Sequence, residues 1–220
     1  MAASTDTLRA VVGGSAGNLQ VIVKNKAGDL IDSALVTFSV TSGAGSVGNP
    51  SVRTVSGLAS TTWTLGPSVG LQTVTATVGT LTVTFNAIAS AAAASNIAKL
   101  AGDQQTALVA TSVPILPSVK VTDAFGNPVA GALVTFTVNS GGGLANGAAV
   151  NTGADGVATL AGWRLGNAAG ANTLTAATGA LAVTFTATGV AGSAASLTLT
   201  PSTIPSLTTG QTVQLSAKAT

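Results

Sequence analysis

Val119-Lys-Val-Thr-Asp-Ala-Phe-Gly126-Asn-Pro-Val-Ala-Gly-Ala-Leu-Val-Thr-Phe136 repeats, with changes, an earlier stretch of the same chain: Val21-Ile-Val-Lys-Asn-Lys-Ala-Gly28-Asp-Leu-Ile-Asp-Ser-Ala-Leu-Val-Thr-Phe38. The two stretches are offset by 98 residues. Self-similarity over a long fixed period means one structural unit written twice. Trp63-Thr-Leu-Gly66 then matches Trp163-Arg-Leu-Gly166, and Val83-Thr-Phe85 matches Val183-Thr-Phe185, now at an offset of 100. Two residues are gained between these anchors, as happens when loops and bulges differ between copies of one fold.

Inside each copy the apolar residues alternate. Val36, Phe38 and Val40 fall on one face of an extended segment, and Leu35, Thr37 and Ser39 on the other. Val134, Phe136 and Val138 repeat the pattern. Ala27-Gly28-Asp29 and Phe125-Gly126-Asn127-Pro128 supply turn chemistry. Val74–Val78 and Leu81–Phe85 flank Gly79-Thr80, a two-residue hairpin turn with glycine first. That register pairs Val78 with Leu81, Ala76 with Val83 and Val74 with Phe85, all facing inward. Leu174, Ala176 and Thr178 face Leu181, Val183 and Phe185 around Gly179-Ala180 in the second copy. Short alternating strands with turn signals at this spacing predict an all-β fold of tandem immunoglobulin-like β-sandwiches.

The aromatic positions supply the core anchors: Trp63, Trp163, Phe38, Phe136, Phe85 and Phe185. Gly57 to Trp63 is six steps, whereas Gly156 to Trp163 is seven. An odd shift would turn Trp163 outward. A β-bulge at Gly162, just before it, restores the inward face. Small residues after each copy, Ala87–Ser95 and Ala187–Ser196, read as linkers. An Ala-rich helix at 87–94 is the rival reading, but an isolated helix that short is marginal in water. The expected organisation is residues 1–90 for the first sandwich and 91–192 for the second. Residues 193–220 form a linker and the first strands of an incomplete third. The first strand of copy one, Leu8–Val12, is short beside Ile97–Val113 of copy two. Thr209–Thr220 reads as one more alternating strand.

Composition narrows the function. Of 220 residues only 6% are charged and 3% aromatic, and Glu, His, Tyr and Cys are absent. The usual catalytic bases and nucleophiles are therefore missing, and the chain reads as a non-enzyme with no catalytic residue. No cofactor motif is present; Gly141-Gly-Gly143 lacks the following Lys-Ser/Thr of a phosphate loop. Asp29, Asp32, Asp103, Asp123 and Asp155 lie near turns, too sparsely for a calcium cage, and read as turn caps rather than metal ligands. The eight cations are scattered and the net charge is +2, so no nucleic-acid footprint appears. No apolar run is long enough to span a membrane in this segment. Lys120 alternates outward between Val119 and Val121, which argues against a buried lysine isopeptide.

The repeat resembles the bacterial Ig-like repeats of group 1, found in invasin- and intimin-type surface proteins. Val119–Phe136, Gly156-Val-Ala-Thr-Leu160, Trp163-Arg-Leu-Gly166 and Asn172-Thr-Leu-Thr-Ala176 carry the resemblance. Copy one is looser, with Asp29-Leu30 in place of Asn-Pro. Pro201-Ser and Gly210-Gln-Thr-Val-Gln-Leu215 look like the start of the related group 2 repeat. The resemblance implies a bacterial secreted or cell-surface protein and a stalk or spacer role in adhesion. Two such units would extend on the order of 70–90 Å. The partners are then neighbouring Ig-like repeats or other copies of the chain.

Two alternatives stand beside the stalk. The chain can be the subunit of a self-assembling extracellular filament, joined by β-strand addition through the 197–220 tail. Leu197, Leu199, Val213 and Leu215 would form its apolar side. It can also be a carbohydrate-binding accessory module, for which a glycan would need an exposed aromatic. Phe125, replaced by Ala27 in copy one, is the contact residue available for a glycan, a neighbouring domain or a partner.

Overall fold

The computed structural model describes residues 7–194, 197–200, 206, 209–210 and 212–219, and every regular element among them is a strand. The first copy contributes β1 (Leu8–Val11), β2 (Ser15–Ile22), β3 (Leu35–Ser42), β4 (Ser46–Val47), β5 (Ser51–Arg53), β6 (Leu58–Thr64), β7 (Gly70–Val78) and β8 (Leu81–Ser90). The second contributes β9 (Asn96–Ala101), β10 (Gln105–Leu108), β11 (Ser118–Thr122), β12 (Leu133–Ser140), β13 (Leu144–Asn146) and β14 (Ala149–Asn151). It continues with β15 (Val157–Thr159), β16 (Gly162–Arg164), β17 (Gly170–Thr178) and β18 (Leu181–Val190). β19 (Leu197–Thr200) and β20 (Ser216–Ala219) follow.

Each copy is a sandwich of two layers. One layer is a five-stranded sheet, β1-β8-β7-β3-β5 in the first and β10-β18-β17-β12-β14 in the second. The facing layer is β2-β6-β4 in the first, and β15-β11-β9 with β13-β16 in the second. Two separate cores fill the gaps. Trp63, Phe38, Phe85, Val21, Val36, Leu65 and Val74 belong to one. Trp163, Phe136, Phe185, Val119, Val134, Leu165 and Leu174 belong to the other.

The hairpin register is the one the sequence predicts, with Val78 opposite Leu81 and Val74 opposite Phe85. Gly79 (φ 58°) and Gly179 (φ 56°) occupy the first turn position, where a side chain would be strained. Inward facing fades toward the tip, however. Leu81 is exposed and Leu181 half-buried, whereas Phe85 and Phe185, farther from the turn, are buried.

Trp163 is fully buried, as is Trp63. In the first copy Ala59, Thr61, Trp63 and Leu65 alternate inward without interruption. In the second, Ala158 and Leu160 keep the alternation, then Gly162 and Trp163 are both buried and the phase slips by one. The extra residue splits the counterpart of β6 into β15 and β16.

Three expectations about the segments change. Ala87–Ser90 and Ala187–Val190 belong to β8 and β18 rather than to linkers. Parallel pairing with β1 and β10 extends those strands, and buried Ala87, Ala89 and Ala187 let the layers approach. Ile97–Val113 is not one strand. Gly102 and Gln104 take positive φ, and the chain crosses from β11 to the opposite sheet at β18. Among the described residues of Thr209–Thr220, a strand forms at Ser216–Ala219, where it meets β19 antiparallel from Leu197↔Ala219 to Thr200↔Ser216. Val213 and Leu215 precede that strand, half-buried and exposed respectively. Leu197 and Leu199 lie on β19, with side chains outside the described residues.

Candidate functional site

The residues with the most elaborate chemistry sit where the two sandwiches meet. The turn after β11, Asp123-Ala-Phe-Gly-Asn127, closes on the Asp123 carboxylate. Oδ1 accepts the amides of Phe125 and Asn127, each at 2.9 Å. Gly126, at φ 85°, makes the reversal possible. The Asn127 side-chain amide donates to both carboxylate oxygens, at 3.2 and 3.0 Å.

The same groups cross to the first sandwich. Asn127 Nδ2 donates to the Pro67 carbonyl at 2.8 Å, and the Val69 amide donates to Asn127 Oδ1 at 3.4 Å. Ala92, in the connecting segment, donates its amide to Asp123 Oδ2 at 3.0 Å. The Phe125 ring lies against Gly13, where a Cβ would stand 3.0 Å from Cζ. Glycine at that position admits the ring.

Asp123 is buried at 3% exposure, and burial works to raise its pKa. The hydrogen bonds from the Asn127 side chain and from the Ala92, Asn127 and Phe125 amides outweigh burial and hold it below the ordinary aspartate value.

The receiving loop is itself fixed from within. The Gly66 amide donates to Gln72 Oε1 at 2.7 Å, and Gln72 Nε2 donates to the Ser68 carbonyl at 2.8 Å. Gln72 is 1% exposed. Asn172 does the corresponding work in the second copy, accepting the Gly166 amide at 3.1 Å. The repeated Trp-x-Leu-Gly ends in glycine for a steric reason. A Cβ on Gly66 would stand 1.7 Å from the Gly43 carbonyl oxygen, and one on Gly166 1.5 Å from that of Gly141.

The other candidates take structural places. The six aromatic anchors are all buried, and both tryptophan Nε1 atoms lack a protein acceptor. Phe125 is 53% exposed and is the remaining aromatic side chain. Asp29 accepts from Asn25, Asp32 from the Gly57 amide and Asp155 from the Val157 amide. Asp103 pairs with Lys99 and accepts the Thr186 amide at 2.9 Å, tying β9 to β18. Among the described residues no three acidic, histidine or cysteine side chains cluster as metal ligands. Lys120 is exposed.

Sequence reasoning missed the Asp123–Asn127 clasp. Its signal was an exchange between copies: Asn25 and Asp29 occupy the matching positions in reverse. Gln72 and Asn172, matching amides at an offset of 100, were the other overlooked sign.

No family model matches the chain, and no curated protein matches it. Solved structures do. The chain is similar to InvD of Yersinia pseudotuberculosis at 18% identity and a TM-score of 0.59, covering 92% of this chain and 63% of that one. The fold is that of bacterial Ig-like repeats. FdeC, an Escherichia coli adhesin, matches at 19% identity and a TM-score of 0.48, over 86% of this chain and 66% of that one. The D0-D1 domain of intimin matches at 23% identity and a TM-score of 0.35, over 84% and 95%. The chain thus spans less than two thirds of the InvD structure. Its Ig-like sandwiches keep that fold without a cysteine, so no disulfide braces them.

Proposed function

We propose that this chain is a structural spacer: tandem Ig-like units, at 1–90 and 91–192, with a third beginning in 193–220. It would stand in a bacterial secreted or cell-surface protein and hold an adhesive module at a set distance and angle. The observation that carries the reading is the joint. A flexible tether needs no contacts, yet here the Asp123–Asn127 turn binds Pro67, Val69 and Ala92, and Phe125 covers Gly13. Contacts of this kind restrict bending between units. The fold shared with InvD and the absence of His, Cys, Glu and Tyr support a non-catalytic role.

Spin labels test it, since the chain has no native cysteine to interfere. Ser39→Cys and Thr137→Cys place labels on exposed, equivalent strand positions of the two units. A single narrow distance distribution supports the spacer. A broad distribution, with both units folded, overturns it.

A further inference from the structure

Asn146-Gly147 is the one Asn-Gly pair in the chain, and it lies where β13 ends and the link to β14 begins. The first sandwich reverses the two residues, with Gly48-Asn49 at the matching positions, an offset of 98. Hydrogen bonding confirms the match. The Phe38 amide donates to the Pro50 carbonyl just beyond, and the Phe136 amide to the Ala148 carbonyl, each at 2.7 Å. In the first sandwich the amide at the second position is taken. Asn49 donates it to Thr61 Oγ1 at 2.9 Å, and Thr61 is buried. Two residues before the tryptophan, Thr61 becomes Ala161, whose Cβ lies 3.2 Å from where a Cβ on Gly147 would stand. The neighbour is kept but its oxygen is lost. Among the described residues no backbone acceptor takes the Gly147 amide.

The result is a reactive arrangement. Asn146 is exposed, and its Nδ2 lies 3.6 Å from where a Cβ on Gly162 would stand. Asn25, Asn127, Asn139 and Asn172 are each held by hydrogen bonds from their side chains, whereas among the described residues none holds the side chain of Asn146. Gly147 is exposed too, and carries no Cβ to screen its nitrogen. We propose that Asn146 is a site of spontaneous covalent modification, through cyclisation onto the Gly147 nitrogen. That nitrogen bonds to Asn146 Cγ, and the Cγ–Nδ2 bond breaks. The Gly147 amide proton leaves with Nδ2 as ammonia, and a succinimide ring remains. Water then opens the ring at either carbonyl, giving aspartate or the β-linked isoaspartate.

Rival positions are closed to this chemistry. Asp155-Gly156 is the one Asp-Gly pair. There the Gly156 amide donates to the Gly153 carbonyl at 3.0 Å, and Asp155 Oδ1 accepts the Val157 amide at 3.0 Å. Asn49 and Asn127 precede prolines, which have no amide proton to displace. The modification therefore concentrates on the second sandwich, and its two products differ there. Asn146 pairs with Gly162 and Leu144 with Arg164, so a carboxylate at 146 lies diagonally across from the Arg164 cation on one exposed face. Isoaspartate instead adds a backbone carbon at the end of β13, just ahead of the Ala148 carbonyl that binds β12.

Ageing the full chain at mildly alkaline pH tests the proposal, because loss of the Gly147 proton speeds cyclisation. Ion-exchange chromatography follows the acidic products, and peptide mapping with enzymatic methyl labelling of isoaspartate places them. Label at 146 and not at 155 is expected in the folded chain, with both positions labelled when the chain is aged in urea. Asn146→Gln, which would need a larger ring, should abolish the acidic products. Ala161→Thr restores the oxygen that the first sandwich uses. It should slow the reaction of the folded chain severalfold and leave the rate in urea unchanged. A folded chain that ages no faster at 146 than at its other asparagines overturns the proposal, as does a folded Ala161→Thr chain that reacts at the original rate. Either result leaves the spacer reading standing.

Discussion

Asn127 of the second sandwich donates its side-chain amide to the Pro67 carbonyl of the first while also donating to Asp123 of its own turn. One residue thus closes the turn and binds the neighbour, so the shape of the turn and the angle of the joint are coupled. Asn127→Ala should broaden the inter-unit distance distribution and leave each core intact. The bond to Pro67 contributes about 1 kcal/mol net, and the bonds to the buried Asp123 carboxylate about 1.5–3 kcal/mol, so the unfolding midpoint of the second sandwich should fall while that of the first moves little. Label distances together with urea titration check both halves. Unchanged distances would mean the clasp does not set the angle.

Phe125 acts on the same joint by volume rather than by hydrogen bonding. Gly13→Leu would push the ring away, since even a Cβ there stands 3.0 Å from it. Phe125→Ala should loosen the joint instead. The double variant, large residue exchanged for small, should fall closer to the native distribution than Gly13→Leu alone. Spin-label distances in the four chains form the test.

Acid should act through Asp103 and Asp123, both held below the ordinary aspartate value against the opposing effect of burial. For Asp103 the ion pair with Lys99 and the Thr186 amide prevail. For Asp123 the Asn127 side chain and three backbone amides do. A depressed carboxylate contributes stability that is fully present above its unfolded pKa of about 4. That stability is lost as pH falls below about 4 through the lower folded values. Asp103→Asn should flatten the acid limb for the second sandwich, leaving the first unaltered. Thermal melts from strong acid up to neutrality, followed separately through Trp63 and Trp163, read the difference.

Much of this fold was legible because alternation and turn chemistry act locally. The Val74–Phe85 register follows from Gly79-Thr80 alone, and the seven-step spacing before Trp163 demanded an irregularity, which appears as the interruption at 160–161 between β15 and β16, with Gly162 itself paired in register to Asn146. What stayed hidden depends on distant partners. Ala87–Ser90 reads as linker because nothing nearby shows β1 pairing to it in parallel. Gln104 gives no sign of positive φ, so the strand switch between β9 and β10 was invisible. The joint was half legible: Phe125 stood out against Ala27, but its resting place on Gly13 lies far away in sequence.

The glycine that ends each Trp-x-Leu-Gly motif gives the sharpest stability prediction. Gly166→Ala would place a methyl 1.5 Å from the Gly141 carbonyl oxygen, and backbone on both sides leaves no flexible side chain to yield. Overpacking of this kind costs about 3 kcal/mol or more. Gly126→Ala is the informative comparison, because nothing lies within 4 Å of its added Cβ and only the positive φ opposes it. That variant should lose about 1 kcal/mol. Urea unfolding followed through Trp163 should rank the two chains in that order, with the Trp63 transition unmoved in both. Equal losses would show that the motif glycine is chosen for backbone freedom and not for close approach.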